Sequence, residues 1–417
     1  MQVFGNGRVA LVDDPGTADR LGWPRRGRSA PEPDLLLAPV AGDPAREPWI
    51  ARGRPAPGSG PRMLWQGGDP AWTYLAGFPG LDRYLQAMAA PARRRPWVVG
   101  ISGLGRVGGL AASALAATAG TGIGTLLLHD CDPANLERMR LELASVAAWR
   151  GGPRLPEVRT AGLDEMMRRC DAFLFAAARA VPPLGTEGEV RLVQFEPNRE
   201  ALRGVLDAAV AAGFTGLFLM VSDPVELLAQ AAFQDSNGWS GPAVRAAGRG
   251  LAPERVAGLA LGVMWGRALA RAGELGHGAR VARTGVPYGP HSQDVLVFDD
   301  PVRPDPELCR ALTEAARAGN YRVRDLGFIP HIGPALSSIA LTLPRLLAGR
   351  EVLASTFVDG VYFGAPSRLD WGVAPVRRRL AAEVRRQLED LHGLLGGRMA
   401  AYGLAAQASG EGLTATR

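Results

Sequence analysis

Between Val98 and Gly108 the chain reads Val-Val-Gly-Ile-Ser-Gly-Leu-Gly-Arg-Val-Gly, an apolar run that ends in glycines spaced G-x-G-x-x-G and passes straight into a helix-like window, Arg106 to Ala119. Few architectures accept that order. Gly103 permits a tight turn, Gly105 lets backbone approach a pyrophosphate, and Gly108 lets the helix pack closely on the strand, with the phosphates at the helix N-terminus. The next apolar strand candidate, Thr125 to Leu128, runs through His129 to Asp130, where a carboxylate can accept from ribose hydroxyls and repel a 2′-phosphate. These residues imply a dinucleotide, with NAD favoured over NADP. Asp130 also has a purely structural reading as a helix N-cap, because Pro133 follows shortly and Asn135 to Ala147 has helical texture.

From Arg95 onward apolar strand candidates alternate with helical windows, the pattern of βαβ units and a parallel sheet. The strands are expected at Trp97 to Ile101, Thr125 to Leu128, Ala172 to Ala176 and Gly216 to Val221, and a further helix at Asn198 to Ala212. Beyond about residue 255 the texture becomes mixed α+β, with a strand expected at Gly360 to Phe363 and a closing helix from about Ala374 to Leu395. The expected fold class is therefore α/β, a Rossmann-type parallel sheet over 93–224 followed by an α+β catalytic domain over 225–417. Residues 1–92, broken by Pro24-Arg25-Arg26-Gly27 and by Pro55 to Gly60, read as a small N-terminal extension of unassigned role. Within it Val9 to Val12 and Leu35 to Val40 are strand candidates, and Trp65, Trp72, Tyr74 and Phe78 require something to pack against.

Composition removes several chemistries. All 47 basic residues are arginine, so no Schiff-base, P-loop or general-base lysine exists here. The formal charge of +6 comes from arginines scattered among acids rather than gathered in stripes, which argues against a nucleic-acid partner. Cys131, Cys170 and Cys309 form no metal-ligand spacing, and no apolar run reaches membrane-spanning length. A soluble cytoplasmic protein without a metal is expected.

Later segments recur in the order found in the lactate/malate dehydrogenases, which the stretch from about Arg95 to Gly397 resembles. Gly188-Glu189-Val190-Arg191-Leu192 is similar to that family's mobile loop, and the resemblance makes Arg191 the residue that polarises the substrate carbonyl. Val221-Ser222-Asp223-Pro224-Val225-Glu226-Leu227-Leu228 resembles the family's T-N-P-V-D-I-L, with Asp223 where the family carries asparagine. An apparent insertion within Ala232 to Gly250 precedes Leu251-Ala252-Pro253-Glu254-Arg255-Val256. In Gly258 to Arg267 the resemblance makes Arg267 the two-point clamp for a substrate carboxylate and puts Met264 where the family's histidine-orienting aspartate belongs. Tyr288-Gly289-Pro290-His291-Ser292-Gln293-Asp294 makes His291 the acid/base.

The resemblance implies NAD, a carboxylate-bearing 2-oxo, 2-hydroxy or imino substrate, and a homo-oligomer. Each residue also has a plain reading: Arg191 as a solvated loop charge, Arg267 as an exposed helix residue, His291 as a turn histidine. His331, between Ile329-Pro330 and Gly333-Pro334, marks a loop near the expected cleft, whereas His129, His277 and His392 carry no such support. Met264 cannot charge an imidazole, so Asp223 either supplies the missing anion to His291 or faces the substrate and favours a cationic iminium or ammonium. Two alternatives stand beside this reading. One is a non-catalytic NAD-binding homologue. The other is an adenylating enzyme of the ubiquitin-activating type, suggested by Gly103-Leu104-Gly105, Asp130-Cys131-Asp132 and Asn135-Leu136, but that chemistry uses a lysine near the phosphates.

Overall fold

The computed structural model describes residues 2–6, 8–26, 33–53, 60–65, 72–76, 80–90, 96–118, 120–149, 155–179, 181–186, 191–239 and 249–404. The onset at Arg95, the residues Pro55 to Ser59, Phe78, Gly188 to Val190, and 240–248 of the expected insertion lie outside them.

The N-terminal residues form a sheet of their own. Strands β1 (Val3–Asn6) and β2 (Val9–Val12) pair antiparallel, helix α1 (Pro15–Leu21) follows, and β3 (Leu35–Val40), β4 (Ile50–Arg52) and β5 (Trp72–Leu75) complete the order β1-β2-β3-β5-β4, closed by α2 (Leu81–Ala89). Both strands expected here are present with the expected ends. The unit is not a loose extension, because Leu37, Trp49, Tyr74, Tyr84 and Leu85 are buried in one cluster with Phe173, Phe218 and Phe233 of the main body. Trp49 meets Tyr84 and Phe233 edge-on at 5.9 and 6.0 Å.

The main body starts with β6 (Trp97–Ser102), α3 (Arg106–Ala117), β7 (Ile123–His129), α4 (Pro133–Trp149), β8 (Glu157–Thr160), α5 (Leu163–Arg169) and β9 (Ala172–Phe175). It continues with α6 (Phe195–Ala212), β10 (Leu217–Met220), α7 (Val225–Ser236) and β11 (Val256–Gly258). These six strands lie parallel in the order β8-β7-β6-β9-β10-β11. That is a doubly wound arrangement whose order reverses between β6 and β9, where the crevice for a ligand opens. Every residue of β9 and β10 is buried, as a parallel sheet covered on both faces requires.

Next come α8 (Leu261–Glu274), α9 (Gly278–Thr284), the β12 (Val286–Tyr288) and β13 (Leu296–Phe298) hairpin, and α10 (Pro306–Asp325). A π-helical segment (Pro334–Ala340) and α11 (Leu343–Leu347) lead into β14 (Val352–Val358), β15 (Val361–Leu369) and β16 (Val373–Pro375), which extend the large sheet antiparallel beyond β11 to nine strands among the described residues. The last described helix, α12, runs Ala382–Ala401 rather than from Ala374. Ala374 is pushed toward extended backbone by the proline after it and pairs with Arg368 in the sheet. No described helix is long and apolar enough to cross a membrane.

Candidate active site

The glycine loop sits at the reversal point and its three glycines do different work. Gly103 has φ +93°, and a Cβ there would lie 2.3 Å from the amide nitrogen of Ala177 at the end of β9. A Cβ on Gly108 would fall 1.9 Å from the carbonyl oxygen of Gly103, so helix α3 can approach β6 only without a side chain at that point. A Cβ on Gly105 would meet nothing within 4 Å, and α3 has no side-chain cap. This helix end therefore presents backbone N–H groups to open space, a seat that suits a pyrophosphate.

Asp130 stands at the end of β7 as expected, and the structure gives it a second task. Its Oδ2 accepts from the Leu104 amide at 2.7 Å and from Asn135 Nδ2 at 3.1 Å, while Oδ1 accepts from the Asp132 amide at 2.9 Å. Although partial burial opposes the anion, these bonds hold the carboxyl below its usual range. A carboxylate has about four acceptor positions, so what remains for ribose is chiefly on Oδ1. The helix-capping acceptor is Asp132, which takes the Ala134 amide at 2.9 Å, and not Asp130. His129 is tied to Ser102 at 2.9 Å in the wall of the same cavity.

That cavity, of about 830 Å³, continues from the glycine loop to Arg191, Asp223, Arg267 and His291. All four residues singled out for chemistry therefore share one space with Gly103, Gly105 and Asp130. Asp223 follows β10, and Asn198 on α6 fixes its backbone by donating Nδ2 to its carbonyl at 2.8 Å while accepting the Arg179 amide at 2.8 Å. Arg191 is not a solvated loop charge: it is 3% exposed, with Nε 3.8 Å from Asp223 Oδ2. Arg267 on α8 is half-buried, donates to the Ala316 carbonyl of α10 at 3.2 Å, and has Met264 Sδ 3.5 Å away. Burial, then the neighbouring Arg191, pulls its guanidinium down to about 10, and Asp223 partly restores it.

His291 is buried in the loop after β12, with Nε2 3.9 Å from Asp223 Oδ1. Asp223 therefore approaches the imidazole from its Nε2 side. The buried Nδ1 makes no hydrogen bond of good geometry among the described residues. Burial first, then the charges of Arg191 and Arg267, push His291 well below its ordinary value, opposed only weakly by the Ala260 carbonyl. The ring is neutral at pH 7.

Sequence reasoning passed over several supporting groups. Glu226, buried at the start of α7, accepts the His291 amide at 3.1 Å and the Ser355 hydroxyl at 2.7 Å on one oxygen, tying the histidine loop to β14. Its signal was an acid within the apolar run Val225 to Phe233. Gly319 leaves the notch in α10 that Arg267 fills. Asn320, Arg324, His331 and Ser338 complete the wall, and Arg324 Nη2 donates to the carbonyls of Pro182 and Pro183 at 3.0 and 2.5 Å, holding that loop to α10. His277 and His392 do not line the cavity.

Neither a protein-family model nor a curated protein matches this chain. Solved structures do. MGS-M5, a lactate dehydrogenase from a Medee basin deep-sea metagenome library, is 21% identical with a TM-score of 0.59, the match covering 73% of this chain and 98% of that one. The minor L-lactate dehydrogenase of Enterococcus mundtii is 19% identical over 73% of this chain and 98% of its own, with a TM-score of 0.59. Malate dehydrogenase from Plasmodium falciparum is 15% identical over 74% of this chain and 99% of its own, again at 0.59. The resemblance carried by the motifs is thus matched in three dimensions, and over about three quarters of its length the chain has the fold of the lactate and malate dehydrogenases.

Proposed function

We propose that the protein is an NAD-dependent oxidoreductase acting at the carbon next to a carboxylate. The observation that supports this most directly is the single cavity joining the glycine loop and Asp130 to Arg191, Asp223, Arg267 and His291. The dinucleotide would lie along Gly103 and Gly105 with a ribose at Asp130, and its nicotinamide supplies or accepts the hydride.

The other roles belong to the chain. Arg267 holds the substrate carboxylate, since a planar guanidinium offers two parallel N–H donors and its desolvation is already met in the folded protein. Arg191 adds positive charge next to the reacting carbon. The neutral His291 is a base at Nε2, so at pH 7 it takes a proton from a substrate hydroxyl or ammonium more readily than it gives one to a ketone.

Titration of the protein with NAD+, NADH and NADPH, followed by absorbance at the nicotinamide band with panels of 2-oxo, 2-hydroxy and 2-amino acids, tests the proposal. Tighter binding of NADH than NADPH together with turnover of one panel supports it. NADH binding with no turnover of any panel supports a non-catalytic NAD-binding homologue, and absence of NADH binding refutes both.

A further inference from the structure

We propose that the substrate half of the cavity seats a 2-amino acid, with the carboxylate on Arg267 and the ammonium between Asp223 and His291. This rests on the oxidoreductase reading and narrows its substrate class. Asp223 Oδ1 and His291 Nε2 stand 3.9 Å apart, too far to bond each other, and both border the cavity. An ionised carboxylate only accepts hydrogen bonds. A neutral imidazole that carries its hydrogen on the buried Nδ1 turns the Nε2 lone pair toward the cavity and accepts as well.

The group placed between two acceptors must therefore donate twice. A ketone oxygen donates nothing and would meet two lone pairs and a negative charge. A hydroxyl donates once and leaves one acceptor facing its own lone pair. An ammonium donates to both and adds an ion pair with Asp223. Arg191 Nε stands 3.8 Å from the other carboxylate oxygen, Oδ2, and not from the Oδ1 that approaches His291. Met264 leaves no carboxylate beside Arg267, so the clamp faces the substrate carboxylate without a competing anion on α8.

Calorimetric titration of the NAD+-saturated protein with 2-amino, 2-hydroxy and 2-oxo acids, matched in side chain over a small panel, reads the preference without relying on turnover. The best-bound side chain should show the amino acid about tenfold to a hundredfold tighter than its hydroxy and oxo counterparts, the range expected of a hydrogen bond to a charged group. Asp223→Asn should collapse the amino-to-hydroxy affinity ratio toward unity, and a melting curve checks that the variant is folded. Tighter binding of the hydroxy or oxo acids, or no binding of any of the three classes, overturns the proposal on the unaltered protein alone. So does an amino-to-hydroxy ratio unchanged in a folded Asp223→Asn. Absence of NAD+ binding would instead refute the oxidoreductase reading beneath it.

Discussion

Gly319→Ala adds one methyl group whose three nearest atoms all belong to Arg267, the proposed substrate clamp. Built on the present backbone, the new Cβ would stand 2.5 Å from Arg267 Cδ, 2.6 Å from Nε and 3.1 Å from Cγ. Carbon contacts settle near 3.5 to 4.0 Å, so about 1 Å of relief is needed. The colliding atoms belong to the flexible end of one side chain, and the guanidinium therefore moves rather than the helix. Within α10 the change itself favours the helix by roughly 0.5–1 kcal/mol, which offsets the crowding. Thermal stability should stay level or rise slightly. Carboxylate binding should weaken, because a displaced fork loses one or both charge-assisted hydrogen bonds, worth about 1.5–3 kcal/mol, or roughly a tenfold to hundredfold loss in affinity. Calorimetry with any bound carboxylate ligand measures it, with NAD+ affinity as the internal control because Gly319 lies outside the glycine loop. A variant with unchanged melting and unchanged carboxylate affinity would show that Arg267 does not hold the substrate.

Arg267→Lys should lower carboxylate affinity by a similar factor despite keeping a charge, since an ammonium cannot reproduce a planar two-point clamp; unchanged binding places Arg267 outside the site. Asp130→Ala should narrow the preference for NADH over NADPH and also lower the melting temperature, because the Leu104 amide and Asn135 lose their acceptor; a selectivity change with unaltered melting would mean that the loop does not depend on that carboxylate. Glu254, buried beneath the N-terminal sheet, accepts the Trp49 and Ile50 amides at 3.1 and 2.8 Å, so Glu254→Ala leaves two buried donors unmet and should cost about 1–3 kcal/mol for each in denaturant unfolding. Burial pushes the Glu254 carboxyl up to about 7, so the folded state binds this proton more tightly than the unfolded one, and the stabilisation is lost as pH rises through 7. His291 works the other way, its contribution falling away as pH drops below the ordinary histidine value. Glu254→Gln removes only the first of these, so its stability should climb more steeply than the parent's between pH 5 and 8; parallel profiles would refute the Glu254 assignment.

The glycine loop and the strands around it were legible because their cause is local. A turn with φ +93° at Gly103 and a helix pressed on the Gly103 carbonyl at Gly108 admit no other residue, and fully buried parallel strands read as plain apolar runs. The N-terminal unit was only partly legible because its reasons are distant in the chain. Tyr84 is fully buried, yet its hydroxyl is satisfied by the Gly250 carbonyl and the Ala252 amide, some 166 and 168 residues away. Short strands broken by Pro and Gly give no hint of such partners. In the candidate site, residue types could be read but not directions. Asp223 beside His291 was foreseeable from the motif order, whereas its approach to Nε2 depends on Asn198 holding the Asp223 carbonyl and Glu226 holding the His291 amide. A carboxylate on the Nδ1 side would raise the histidine and make it an acid. On the Nε2 side it borders the cavity beside the ring, and under the proposed reading it is from there that it favours an ammonium over a hydroxyl.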